Sequence, residues 1–308
     1  MAEIKAELVK ALRDRTGIGM MECKEALQES GGDLEKAIEI LRKKGHARAQ
    51  DKEGREAADG AVGAWVSAQS RVGVLIEVNC ETDFVARNDE FKELVQNLAH
   101  QVAESNPEYI AEQDVPEELK GQKVSLLEQP YVNDNKIKVK DLVSSYIAKF
   151  GENIKIRRFQ RLALEADQGL IGAYVHATNR LGVLVEVICQ TDSVARSEEF
   201  RELVKNLAMQ IAAASPQYIS PQEVPAEVVS REKEIIRAQI QDTKKPEQII
   251  EKIVEGKLNK YYGEVCLLNQ PYIRDDKIKV KDLIDSYLSK FGEKIEVKRF
   301  VRFEIGKY

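Results

Sequence analysis

RVGVLIEVNCETDFVARNDEF, residues 71–91, returns as RLGVLVEVICQTDSVARSEEF, residues 180–200. The two stretches agree almost position for position, so the chain carries an internal duplication. In the first copy Val72 to Val78 alternates apolar and polar residues, the period of a half-buried strand. A polar Thr-Asp turn follows. Apolar residues then return at helical spacing: Phe91, Leu94, Val95, Leu98 and Val102, matched by Phe200, Leu203, Val204, Leu207 and Ile211.

Working outward, the repeat holds from 61–116 to 170–225 at a constant offset of 109 (Gly73 to Gly182). Its tail matches at an offset of 141, where LLEQPYVNDNKIKVKDL begins at Leu126 and LLNQPYIRDDKIKVKDL at Leu267. The second copy therefore carries an insertion of 32 residues, 141 less 109, between Pro225 and Cys266. In each copy a shorter strand precedes the alternating one, around Gly63–Val66 in the first, with SAQSR as a hairpin turn. KVKDLVSSYIAKFG reads as a helix closed by Gly151, and NIKIRRFQRLAL as a closing strand. A three-stranded antiparallel sheet with helices on one face fits these elements, and two such units in tandem suit a pseudo-twofold pair.

The insertion holds two charged helical runs, EVVSREKEIIRAQIQ and EQIIEKIVEGKLNKYY, separated by DTKKPE. They predict a helical hairpin, coiled-coil-like, over about 227–264, with Val228, Ile235, Ile249, Ile250, Ile253 and Val254 along its seam. At the other end three short helices are expected: one marked by Ile4, Leu8 and Leu12, one over MMECKEALQES, and one capped by Asp33 and closed by Gly45. The polar link HARAQDKEGREAADG suits a flexible joint or a solvated helix. The expected fold is thus α+β. Residues 1–50 form a three-helix docking module, 51–60 a linker, 61–166 a first subdomain, and 167–308 a second subdomain with the hairpin inserted.

The chain has 308 residues, 43% hydrophobic and 32% charged, with a formal charge of −5, which argues against gripping nucleic acid as its main task. No apolar run approaches the roughly 20 residues that span a bilayer. MAEIKAELVKALRDRTG lacks the apolar core of a signal peptide, so a cytoplasmic protein is expected. Cys23, Cys80, Cys189 and Cys266 form no CxxC, and His46, His100 and His176 stand at no metal-ligand spacing. Cys80 and Cys189 read as small buried residues in strands. There is no GxxxxGK[ST], so the chain is not expected to bind nucleotide itself, and no metal or cofactor is expected.

One position breaks the repeat: Phe84 in the first copy is Ser193 in the second. Thr82 or Asp83 can cap the following turn, which accounts for the recurring Thr-Asp. It does not account for the ring. Losing a core phenylalanine costs several kcal/mol, so the exchange favours an exposed position and an interface anchor. The other reading is a second copy repacked around Ser193.

TGIGMMECKEAL (16–27) and CETDFVARN (80–88) resemble the elongation factor Ts family, the guanine-nucleotide exchange factors for elongation factor Tu. The resemblance covers the whole chain, including the hairpin. The first copy has an unusually full tail, and the second keeps a remnant, TDSVAR. What the resemblance implies is a non-enzymatic factor that binds elongation factor Tu in its GDP form, displaces the magnesium ion and promotes exchange of GDP for GTP. Thr82, Asp83, Phe84 and Val85 would then insert beside the partner's magnesium site, with Phe84 as the wedge and Asp83 disturbing the magnesium shell. Arg13, Met20, Met21 and Lys24 would dock the N-terminal module, and Phe150, Gly151 and His176 would make secondary contacts. One of Met20 and Met21 is expected to face the helical core; Arg13 and Lys24 also fit a solvated face. Two rivals are an RNA-binding translation protein, suggested by IKIRRFQR, and a small-molecule enzyme using Glu81 or Asp83. The first predicts steep salt dependence, the second turnover without a partner.

Overall fold

The computed structural model describes residues 4–240 and 246–307. The expected turn DTKKPE therefore lies largely outside the described residues. The N-terminal helices are α1 (Ala6–Thr16), α2 (Met20–Glu29) and α3 (Leu34–Lys52). Gly17, at φ 67°, closes α1, and the Asp33 carboxylate accepts from Glu35 N and Lys36 N to start α3. Val9, Leu12, Cys23, Ala26, Leu27, Ala37 and Leu41 fill the small core between them.

Gly45 does not stop α3, which runs on to Lys52 through most of the polar link. A Cβ at Gly45 would lie 3.6 Å from Ser144 O and 3.7 Å from Ala148 Cβ. The glycine marks a close crossing of α3 over the helix Val139–Phe150. His46 fastens that crossing, with Nε2 2.9 Å from Asp141 Oδ1 and Nδ1 3.2 Å from Ser144 Oγ.

The first repeat runs β1 (Asp59–Val66), β2 (Val72–Cys80), α4 (Asp83–Arg87), α5 (Asp89–Ser105), β3 (Pro130–Tyr131), β4 (Asp134–Lys138), α6 (Val139–Phe150) and β5 (Lys155–Ala163). The second runs β6 (Gly169–Val175), β7 (Leu181–Ile188), α7 (Asp192–Arg196), α8 (Glu198–Ala214), α9 (Ala226–Ala238), α10 (Glu247–Val265), β8 (Pro271–Tyr272), β9 (Asp275–Lys279), α11 (Val280–Phe291) and β10 (Glu296–Glu304). The sheets are antiparallel, ordered β1-β2-β5 and β6-β7-β10, with β2 and β7 central. This is the α+β class expected from the sequence. The hairpins β3-β4 and β8-β9 were not foreseen.

The central strand is not half-buried, as its alternation suggests. Val74, Ile76 and Val78 face the helices α5 and α6, and Leu75, on the opposite face, is as fully buried. What covers the second face is the other sheet. Val62, Leu75 and Leu162 meet Ile171, Leu184 and Phe303 there. The contacts are reciprocal. A Cβ on Gly73 would strike Ile171, and a Cβ on Gly182 would strike Val62. Ile171 N donates to Ser70 O at 2.8 Å, and Val62 N to Asn179 O at 2.6 Å. Residue i meets j while j's counterpart meets i's, the mark of a twofold pair. Two buried carboxylates repeat the pattern: Glu77 with Arg158 at 2.7 Å and Glu186 with Arg299 at 2.6 Å. Their arginines also reach across, Arg158 to Lys307 O and Arg299 to Ala163 O. Removing one partner of such a buried pair leaves the other charge uncompensated, which is strongly destabilising.

In the inserted pair α9–α10 the packed residues are Ile236, Ile240, Val254 and Leu258. Ile235 and Ile249 face outward, one step round their helices from the expected seam.

Candidate functional site

The Thr-Asp-Phe-Val stretch forms the turn from β2 into the short helix α4. Thr82 is its cap, extended at φ −127°, and Oγ1 accepts from Val85 N at a long 3.5 Å. Asn88 ends α4 and caps α5 by accepting from Glu90 N at 2.9 Å. Val85 and Ala86 are buried against the first core. Successive helical residues point about 100° apart, so seating those two turns Phe84 away from the protein. Its ring is 84% exposed. Helix α7 repeats the arrangement: Thr191 caps at 3.4 Å, Val194 and Ala195 are buried, and Ser193 is exposed. The position faces solvent in both copies. Of the two sequence readings, the repacked core is overturned: the position is exposed in both copies, and the fold does not require the ring.

Glu152 holds the turn. Its Oε2 accepts from Glu81 N at 3.1 Å and Thr82 N at 3.0 Å, and its Oε1 accepts from Thr82 Oγ1 at 2.6 Å. Glu81 Oε1 answers by accepting from Asn153 N at 2.7 Å. Glu152 comes from the turn after α6, where Gly151 at φ 72° reverses the chain. Lys52 Nζ donates to Gly151 O, and Phe150 is half-buried with its ring 6.4 Å from that of Phe91. The structure thus brings Phe150 and Gly151 beside Thr82 through Glu152, a residue the sequence reading did not weigh. A signal existed: KFGE recurs at 149–152 and 290–293. In the second copy Glu293 Oε1 accepts from Gln190 N at 3.0 Å and Thr191 N at 3.2 Å.

Asp83 pairs with Arg87 at 2.9 Å, both solvent-exposed. Such an i,i+4 pair stabilises by only about 0.2–0.5 kcal/mol, so Asp83 is free to change partner. Beneath the turn, Cys80 donates from Sγ to Thr82 O, and burial pushes its thiol up to about 12. Its counterpart differs from expectation: β7 stops at Ile188, so Cys189 lies beyond the strand and is only half-buried.

His176 is exposed in the β6–β7 turn, its Nδ1 3.0 Å from Thr178 Oγ1. An Arg180–Asp59 ion pair ties that turn to β1, and Asp59 lies opposite Cys80 in register. No hydrogen bond or ion pair among the described residues joins His176 to Thr82–Val85. On α2 the buried face is Cys23, Ala26 and Leu27. Met20 and Met21 are both exposed, at 42% and 67%, which overturns the expectation that one faces the core. Helix α2 starts at Met20, and three core contacts within its next turns leave none for the pair. Lys24 and Arg13 are exposed as well. Arg13 lines a cleft of about 790 Å³ between α1, α3 and α6. The far wall carries the Lys149–Glu90 ion pair, 2.6 Å, on the elements flanking the Phe84 turn.

Among the described residues no group of three or more His, Cys, Asp or Glu is placed to hold a metal ion, and no helix is long and apolar enough to cross a membrane. The site offers an aromatic ring, a carboxylate and a capped turn on a braced scaffold, suited to recognition of a protein surface.

The chain matches the family model described as Elongation factor TS over residues 33–122 and 81–307. Among similar proteins, Elongation factor Ts of Nostoc punctiforme is 46% identical over 309 residues, covering 100% of this chain and 94% of that protein. Elongation factor Ts of Trichlorobacter lovleyi is 44% identical over 304 residues, covering 99% and 93%. That of Symbiobacterium thermophilum is 45% identical over 308 residues, covering 100% and 93%.

Proposed function

We propose a function for this chain from one premise: it belongs to the elongation factor Ts family. Membership makes it a nucleotide exchange factor that partners elongation factor Tu, not a catalyst of covalent chemistry. The finer reading is our own. The factor engages elongation factor Tu in its GDP form, in the cytoplasm, and the Phe84 turn loosens the magnesium and GDP that the partner holds.

The observation that carries this reading is the exposed ring on a braced turn. An aromatic held in water by a folded scaffold gains about 1.5–3 kcal/mol when a partner buries it. The scaffold has already ordered the turn, so little of that gain is spent on ordering it. Magnesium keeps near-ideal octahedral geometry, so small displacements of the groups around it are costly. Phe84 supplies the wedge, and Asp83, released from Arg87, competes for the hydrogen bonds of the metal's shell. Thr82 and Val85 fix the direction of approach. Arg13, Met20, Met21 and Lys24 dock the N-terminal helices on the same partner, with Phe150, Gly151 and His176 as further contacts.

Exchange is then a coupling of two binding equilibria. By whatever factor this chain weakens GDP binding, GDP weakens the binding of this chain. The RNA-binding alternative has less support. IKIRRFQR is the β5 region, whose Arg158 is spent on Glu77 and Arg161 on Ala103 O.

The test is release of a fluorescent GDP analogue from elongation factor Tu. Phe84→Ala is expected to slow release roughly 10- to 100-fold, the equivalent of about 1.4–3 kcal/mol, with an unchanged melting temperature. Ser193→Ala is expected to do neither. A Phe84→Ala protein that releases GDP at the parent rate removes the wedge from the mechanism.

A further inference from the structure

The duplication makes each copy a template for the other, and one carboxylate is missing from the second. In the first copy Glu128 sits between two lysines, with Oε2 2.7 Å from Lys138 Nζ and Oε1 2.8 Å from Lys140 Nζ. Glu112 also faces Lys138. The second copy keeps the lysines as Lys279 and Lys281 but has Asn269 in place of Glu128 and Pro221 in place of Glu112.

The backbone around them is the same. Glu128 N donates to Ser125 O at 3.2 Å, and Asn269 N to Cys266 O at 3.0 Å. Val139 N donates to Gln129 O and Val280 N to Gln270 O, both at 3.0 Å. Lys138 N reaches Asp141 Oδ2 at 2.8 Å, and Lys279 N reaches Asp282 Oδ2 at 2.9 Å. So the stems of Lys279 and Lys281 start from the places that let Lys138 and Lys140 converge on one carboxylate. Both residues are exposed, and among the described residues neither ammonium has an ion-pair partner. Of the nearby acids, Asp282 is taken up with the Lys279 amide and Asp275 with the Lys277 amide, at 3.2 Å. Ile273, 46% exposed, and the exposed Arg274 lie on the same hairpin.

We propose that Lys279, Lys281 and Asn269 receive a carboxylate side chain from an acidic peptide segment of another protein, which takes the place Glu128 fills in the first copy. The occupant is a carboxylate because the template is one: two oxygens, each meeting one ammonium. Asn269 adds an amide N–H donor where Glu128 presents only acceptors. Ile273 offers an apolar contact beside the charge. The site stands apart from the Phe84 turn and does not depend on the exchange reading.

The test uses the full chain, isotopically labelled, titrated at low salt with a hexaglutamate peptide and separately with sodium phosphate at matched ionic strength. Lysine side-chain resonances are followed by NMR. Those of Lys279 and Lys281 should move saturably with the peptide while those of Lys138 and Lys140 stay still. Asn269→Glu rebuilds the internal acceptor and should weaken the peptide roughly two- to fivefold for each cation it occupies. Glu128→Asn should open Lys138 and Lys140 to the same peptide. Unchanged peptide binding by Asn269→Glu, or shifts at Lys279 and Lys281 no larger than at Lys277, overturns the proposal. Phosphate shifts as large as the peptide's overturn it too, since they would mark an unselective pair of cations.

Discussion

Removing the Glu152 carboxylate separates the role of the Phe84 turn from the stability of the protein. Glu152→Ala deletes the acceptor of three hydrogen bonds, from Glu81 N, Thr82 N and Thr82 Oγ1. Bonds to a charged acceptor contribute about 1.5–3 kcal/mol each when sealed from water. This one is half-buried and water can reach the freed groups, so a net loss of about 1–2 kcal/mol is expected. The larger effect falls on binding. A turn that has lost its brace must be ordered by the partner, at about 1–2 kcal/mol per residue fixed. With Glu81 and Thr82 freed, about 2–4 kcal/mol is lost and exchange should fall by at least roughly 30-fold, since about 1.4 kcal/mol is a factor of ten. The chain contains its own control. Glu293→Ala deletes the equivalent brace at Gln190 and Thr191, beneath a turn that presents only Ser193. Both variants should lose similar stability by thermal melting. Only Glu152→Ala should lose exchange, measured by stopped-flow release of a fluorescent GDP analogue from elongation factor Tu. Equal slowing by the two variants would show that the first turn has no special part, and full exchange by a destabilised Glu152→Ala would show that bracing is irrelevant.

Other outcomes follow from the packing and the charges. Gly45→Ala should be tolerated or stabilise by up to about 1 kcal/mol, because a Cβ there meets α6 at ordinary contact distance and the helix gains a better former; Gly45→Leu should pry α3 off α6, visible as faster amide exchange in both helices. Gly73→Ala and Gly182→Ala should each cost about 1–3 kcal/mol in denaturant unfolding, since each Cβ would be driven into the opposite sheet, at 2.5 Å from Ile171 and 2.6 Å from Val62. Lys138 first, then Lys140, holds the Glu128 carboxyl below its ordinary 4.5, so its contribution is present above that pH and is lost as pH falls through the lowered value. Glu128→Gln should therefore destabilise at pH 7, by less than about 1 kcal/mol for so exposed a pair, and by progressively less as pH falls through the lowered value.

The order of elements was legible because the duplication printed it twice, and Gly151 and Asp33 end and begin helices as their chemistry dictates. Phe84 was legible for the same reason: its counterpart Ser193 showed that the fold did not need a ring there. What escaped was non-local. The second buried face of β2 depends on a sheet about a hundred residues away, and no local period reports that cover. Gly45 looked like a stop because glycine so often closes helices; here it makes room for a neighbouring helix. Glu152 reaches across 70 residues to Thr82, and only the recurrence of KFGE hinted at it. Neither Met20 nor Met21 faces the core because Cys23, Ala26 and Leu27 supply the whole buried face of α2.

The back-to-back sheets have a consequence for how such a molecule diversifies. A homodimer assembled from separate identical chains carries every substitution twice and cannot give its halves different duties. Here the same union is written along one polypeptide, so a change can be made on one side only. The shared seam carries Gly73 and Gly182, Glu77 and Glu186, while the outward corners carry phenylalanine in one half and serine in the other. A substitution at one corner leaves the other untouched, because neither Phe84 nor Ser193 is among the residues packed between the sheets.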